Sequence, residues 1–141
     1  NNNVILDLMI HDVDIIRFLF GNVDMKRGIN RIFKERGGTV YALFSFLYKD
    51  IVFSLESSWI SPEKRRVIKI LTPNTRYECD LIAQTIRKRS KLGIQDSLII
   101  KKKQPLEEEI FNFIKFINNE PHEKCTLEES IKNLEIVCEH E

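Results

Sequence analysis

Residues 4–21, VILDLMIHDVDIIRFLFG, constrain the fold more than any other stretch. They are apolar nearly all round at helical spacing, the pattern of a helix buried on more than one side. On a wheel of about 100° per residue, Leu8, Ile15, Ile16 and Leu19 form one stripe, joined by Ile5. Opposite stand Asp7, His11 and Asp14, at i, i+4 and i+7, with Phe18 beside them. Leu6, Ile10 and Val13 flank this trio with apolar bulk. Acidic groups and a histidine in an apolar frame are where proton affinities shift and chemistry is done. The same residues also read as a helix with one polar side. Asp7 then sits in the first turn, where the helix dipole favours a carboxylate, and His11 bonds a neighbouring acid. Asp12 falls in the apolar stripe and needs a buried partner.

Gly21 caps this helix, and the period then changes from 3.6 to 2. Residues 23–33 can form a strand, and Gly37-Gly38 a turn. Residues 39–48 (TVYALFSFLY) place Val40, Ala42, Phe44 and Phe46 on one face. After a tight connection at Lys49-Asp50, residues 51–59 alternate, so the two runs form an antiparallel hairpin. Strands are predicted over 66–71, 76–81, 84–89 and 97–103, a meander of six or seven in all. Pro105 and the acidic Glu107, Glu108 and Glu109 open a helix with the stripe Leu106, Ile110, Phe113, Ile114 and Ile117. Thr126 and Glu129 have capping-box spacing and open another, predicted to bury Leu127, Ile131, Leu134 and Cys138. Both tail helices are expected to cover a sheet face. The fold class is α+β: a large open, mostly antiparallel sheet with helices on one face. The 141 residues suit a single domain, 1–141.

A net charge of +1 excludes a general polyanion binder. Three basic runs, Lys64-Arg65-Arg66, Arg87-Lys88-Arg89 and Lys101-Lys102-Lys103, fit strand ends guarded against edge pairing, and no nucleic-acid partner is expected. No apolar run reaches the roughly 18 residues that span a bilayer, and no membrane partner is expected. Cys79, Cys125 and Cys138 are odd in number and widely spaced. That suits reduced, buried thiols in a cytoplasmic protein without a signal peptide. Asp7, His11 and Asp14 include metal-ligand types. His122 and His140 read as solvated.

The order of helix, long sheet and two helices resembles the C-terminal domain of the glucose–fructose oxidoreductase / inositol dehydrogenase / MocA (Gfo/Idh/MocA) family of nicotinamide-dependent oxidoreductases. The resemblance runs over essentially the whole chain. Its D-x-x-x-H motif is matched by Asp7-Leu-Met-Ile-His11, followed by Asp12-Val-Asp14 and Leu19-Phe20-Gly21. Its strand ending in Ser-Trp with a downstream proline is matched by Ser58-Trp59-Ile-Ser-Pro62. Its late helix is matched by Pro105-Leu106-Glu107-Glu108-Glu109-Ile110-Phe111. The family's glycine-rich approach to the first helix is replaced by Asn1-Asn2-Asn3, and the glycine turn after its fourth strand by Thr72-Pro73-Asn74-Thr75.

The resemblance implies a substrate-binding and oligomerisation half of an enzyme acting on a sugar, cyclitol or similar polyol. His11 would stand at the substrate hydroxyl, and an imidazole, titrating near pH 6.5, suits its proton. Asp7 would orient the ring or bind a neighbouring hydroxyl, and Asp14 would contact a sugar hydroxyl, so the resemblance implies no metal at Asp7, His11 and Asp14. NAD or NADP would be bound mainly by an N-terminal Rossmann domain. Neither its glycine fingerprint nor the family's Glu-Lys-Pro segment with the catalytic lysine occurs here, so the chain alone is expected to be inactive. The opening Asn1-Asn2-Asn3, without Met, leads to the expectation of a piece of a longer protein. A homodimer or homotetramer through the sheet face is expected. The alternative function is a non-catalytic domain that self-associates through an open sheet face.

Overall fold

Residues 4–21 form two kinds of helix end to end in the computed structural model, which describes residues 3–25, 28–93, 95–100, 103–122 and 126–139. Expectations for Asn1, Asn2, Lys101, Lys102, Cys125 and His140 fall outside the described residues. A π-helical turn, Ile5–Met9, comes first, and the Ile10 N–H reaches back five residues to the Ile5 carbonyl. The α-helix α1, Ile10–Phe20, continues from it and ends at Gly21. The glycine takes φ 76°, open to it without a Cβ, and donates to the Arg17 carbonyl at 2.8 Å.

The buried side of this helix is Val4, Ile5, Met9, Val13 and Arg17. Leu8 and Leu19, expected in the core, are 37% and 51% exposed. A helix that is apolar all round carries little bias of its own, so its neighbours select the face it buries.

Three strands follow: β1 Gly28–Glu35, β2 Gly38–Tyr48 and β3 Ile51–Ser58, an antiparallel ladder with β2 central. The β2–β3 turn is two residues long, with Lys49 and Asp50 at φ 47° and 62°, the primed geometry that matches strand twist. Ala42, Phe44 and Phe46 are buried together with Phe53, Leu55 and Ser57, as the alternation predicts. Phe46 stacks on Phe44 and Phe53 with centroids 5.1 and 4.9 Å apart. Gly28 lies so close beneath the Phe44 ring that a Cβ there would sit 1.9 Å from it. The π turn rests against β3 and β2, and its core cluster takes in Val23, Met25 and Val137.

Val137 belongs to α3, Leu127–Cys138, which joins residues 1–61 in one compact unit. Thr126 caps α3, its hydroxyl accepting from the Glu129 N–H at 3.2 Å. The helix does not bury its expected stripe. Leu127, Ile131, Leu134 and Cys138 are exposed, whereas Asn133 and Val137 are buried. The cause is polar: α3 docks by the side that satisfies a buried arginine of α1, described below.

The second unit, Pro62–Lys124, holds β4 Val67–Leu71, β5 Thr75–Asp80, β6 Thr85–Ser90 and β7 Gln95–Ile99 as a second antiparallel ladder in sequence order, then α2, Pro105–Ile117. The strands are thus antiparallel throughout and the class is α+β, with the seven described strands divided into two sheets of three and four. Asp80 shapes the β5–β6 turn, its carboxylate accepting from the N–H groups of Ile82 and Ala83. The α2 stripe of Leu106, Ile110, Phe113, Ile114 and Ile117 stays 46–67% exposed, so the expected burial of that stripe is not met. Among the described residues, no helix is long and apolar enough to cross a membrane.

Candidate active site

Asp7 lies at the centre of the π turn, a distortion that concentrates at functional positions. Its carboxylate accepts a hydrogen bond from the Trp59 indole nitrogen at 3.0 Å. Trp59 is held in turn. Its N–H donates to the Val40 carbonyl at 2.9 Å. The Ser58 hydroxyl accepts from the N–H groups of Ile60 and Ser61, which fixes the bend after β3. The other end of the turn is pinned by Asn3, buried and bridged to Thr39. The Asn3 side-chain oxygen accepts from the Ile5 N–H at 2.9 Å, and its carbonyl from the Asp7 N–H at 3.1 Å. His11 opens α1, and both Asp7 and His11 are exposed.

Asp14 has different surroundings. It is half-buried and accepts from the Asn133 side-chain nitrogen of α3 at 2.6 Å. The Asn133 oxygen accepts from Arg17, which also donates to the Glu129 carbonyl at 3.0 Å and to the Glu129 carboxylate. A buried guanidinium is tolerated when its forked donors are met, and these are met by three acceptors on α3. Lys132 bonds the Glu129 carboxylate at 3.2 Å. That bond first, and Arg17 with it, hold the carboxyl below its ordinary value of 4.5 against the opposing effect of burial. Asp12 finds its partner in Ser57, whose hydroxyl lies 3.4 Å from the carboxylate.

The trio read from the helical wheel is therefore divided. Asp7 and His11 are both exposed, four residues apart in the chain, and Asp14 is drawn into the contact between α1 and α3. The sequence reading missed Arg17, Asn133 and the role of Trp59. Arg17 had a signal: it is the one lysine or arginine in residues 4–21. Asn133 had none beyond its place on an amphipathic helix.

Burial pushes the Cys79 thiol up, away from thiolate chemistry. Tyr41 is raised by burial first and then by the Glu56 carboxylate that it bonds. Among the described residues, no group of three or more His, Cys, Asp or Glu is placed to hold a metal ion.

A dinucleotide needs a cradle for its diphosphate, usually glycines at a helix N-terminus. Gly21, Gly37 and Gly93 lie at turns with positive φ, and Gly28 under Phe44. The residues before the helices are Val4, Met9, Gln104 and Thr126. Among the described residues, therefore, no glycine stands at a helix N-terminus to cradle a dinucleotide's diphosphate.

No protein-family model matches the sequence, and no curated protein matches it. Solved structures do. UDP-N-acetylglucosamine 3-dehydrogenase GnnA from Acidithiobacillus ferrooxidans superposes with a TM-score of 0.84 and 20% identity, covering 97% of this chain and 46% of that one. The dehydrogenase MviM from Clostridium difficile gives 0.75 and 16%, covering 95% and 46%. A Desulfitobacterium hafniense protein assigned to the NADPH-dependent oxidoreductases gives 0.74 and 19%, covering 96% and 44%. The chain has the fold of the C-terminal domain of Gfo/Idh/MocA-type oxidoreductases. It spans less than half the length of each of these relatives.

Proposed function

We propose that this chain is the substrate-facing half of an NAD(P)-dependent oxidoreductase acting on a sugar, cyclitol or similar polyol. The observation that carries the reading is the π turn holding Asp7 four residues before His11, with Trp59 fastening Asp7 from the end of β3. Oxidising an alcohol requires a proton to leave the hydroxyl oxygen, and His11 is the acceptor for it. Asp7 orients the imidazole or a neighbouring hydroxyl. Asp14, engaged by Asn133, is the weaker member and serves substrate binding. The name of GnnA widens the substrate class to sugars carried on a nucleotide. NAD or NADP is assigned to a Rossmann domain outside these residues. The 141-residue chain alone is expected neither to bind NADH or NADPH nor to turn over. Cytoplasmic placement belongs to the same reading and rests on the scattered cysteines.

A second reading, a self-associating domain without catalysis, draws on the outer face of β1–β3. Ile29, Phe33, Leu47 and Val52 are 66%, 53%, 62% and 75% exposed there. The experiment that separates the two is turnover by the complete gene product. It is offered NAD⁺ or NADP⁺ with a panel of polyols, sugars and nucleotide sugars, and reduced cofactor is followed by absorbance. Substrate-dependent reduction is expected. No reduction, together with no dinucleotide binding by the complete protein, would overturn the enzyme reading and leave self-association.

A further inference from the structure

The four-stranded sheet has two unlike faces. Register and alternation place Ile68, Ile70, Tyr77, Cys79, Ile86 and Leu98 on one. The other carries Arg76, Glu78, Arg87, Arg89 and Gln95, which line a shallow depression of about 150 Å³ together with Lys88. Arg76 and Arg89 are direct cross-strand partners, a placement of like charges that costs stability. Glu78 sits across from Arg87 in register, yet its carboxylate bonds Arg76 at 3.0 Å. Arg89 donates to the Gln95 amide oxygen at 3.3 Å. Three arginines thus share this face with one carboxylate at the depression, while Lys88, across from Tyr77 in register, belongs to the other face.

The geometry points to a binding site for a compact phosphoryl anion, a phosphate or diphosphate group, between Arg76, Arg87 and Arg89 on this polar face. Three arginines on one face of two adjacent strands suit the tetrahedral oxygens of a phosphoryl group, which a guanidinium fork can engage by two parallel bonds. An anion there also relieves the repulsion between Arg76 and Arg89. The size sets the ligand class: the depression is smaller than the roughly 300 Å³ at which pockets hold drug-sized molecules, so it takes the anionic group and leaves any remainder outside. Gln95 adds an amide whose nitrogen can donate to the same group. The site is independent of the oxidoreductase reading, since none of its residues belongs to the Asp7–His11 stretch.

The test is titration of the 141-residue chain with inorganic phosphate and with pyrophosphate, by calorimetry and by thermal melting in low salt. Saturable binding is expected, with melting raised by about 4 °C or more at a hundredfold excess over Kd. Tighter binding of pyrophosphate identifies a small molecule ending in a diphosphate, unlike the doubly esterified diphosphate of a dinucleotide, and equal binding identifies free phosphate. Arg87→Gln and Arg89→Gln should each weaken binding about tenfold or more. Arg87→Lys, which keeps the charge and loses the fork, should retain part of it and covers the case in which Arg87→Gln fails to fold. Glu78→Gln should tighten binding, because it frees Arg76 and removes the opposing charge. A double substitution at Lys64 and Arg65, outside the depression, should change nothing. Absence of binding, equal weakening by the Lys64/Arg65 control, or tighter binding of a single-stranded oligonucleotide through the same arginines would overturn the proposal.

Discussion

The Trp59 indole nitrogen and the Asp7 carboxylate meet at 3.0 Å, joining the end of β3 to the middle of the π turn. The bond crosses 52 residues of sequence and gives Asp7 one orientation where an exposed carboxylate would otherwise have several. Replacing Trp59 by Phe keeps the ring and removes the donor. In the complete enzyme, Trp59→Phe should lower kcat by about 2- to 10-fold, the kinetic equivalent of one modest hydrogen bond. The melting temperature should move little. An unchanged kcat would mean that the orientation of Asp7 is irrelevant to catalysis.

His11 bears the proposed proton transfer. His11→Ala should cut turnover by about 10²–10⁴, while dinucleotide affinity, measured by fluorescence titration, stays the same. Turnover at the original level would remove His11 from the mechanism.

Asn133 stands between Asp14 and Arg17, giving a bond to one and taking a bond from the other. Asn133→Ala leaves a buried guanidinium short of an acceptor and should lower unfolding stability by about 1–3 kcal/mol in urea. A variant as stable as the parent would show that Glu129 alone satisfies Arg17.

Glu129 gives the contact between α1 and α3 a pH dependence. Its folded-state carboxyl lies below the ordinary value, through Lys132 and then Arg17. A depressed acid contributes stability above its unfolded value of 4.5 and loses it as pH falls through the folded value. Thermal melting should therefore drop more steeply in acid for the parent chain than for Glu129→Gln. Parallel curves for the two would refute the assignment.

The hairpin and its buried face were legible because strict alternation in residues 39–58 allows one register at a two-residue turn. The capped start of α3 was legible for a similarly local reason, its Thr126 and Glu129. The π turn was not, because the wheel assumes a constant angle per residue and nothing in Ile5–Met9 forbids an α-helix. The buried sides of α1 and α3 were misread together. Hydrophobic count favours Leu8, Leu19, Ile131 and Leu134, but a single cation, Arg17, had to be satisfied and turned α3 towards Asn133 and Glu129. Of the site, Asp7 and His11 were visible as a spaced pair. Trp59 was visible only as part of a motif, since its contact is long-range.

The outer face of β1–β3 supplies a last expectation. An apolar surface of this kind is uncommon on a monomer, and a two-fold axis would bury it against its own copy. Sedimentation equilibrium at micromolar concentration should find a dimer or tetramer above the 16.7 kDa chain mass, and Val52→Lys should dissociate it. A monomer at that mass before any substitution would sink the expectation.

The place of α3 in the chain bears on how the protein is made. Its core residue Val137 and its acceptor Asn133 leave the ribosome more than a hundred residues after Met9 and Arg17, which they complete. Residues 62–124 intervene as a looped excursion with local strand pairing of their own. During synthesis those strands can pair as soon as they emerge, while the first helix waits with a bare guanidinium. Closing so long a loop costs only slowly more with length, so the delay is kinetic. A stalled or truncated product ending before residue 127 would carry the Asp7–His11 stretch on an unfinished core, and a nascent-chain protease should cut there first.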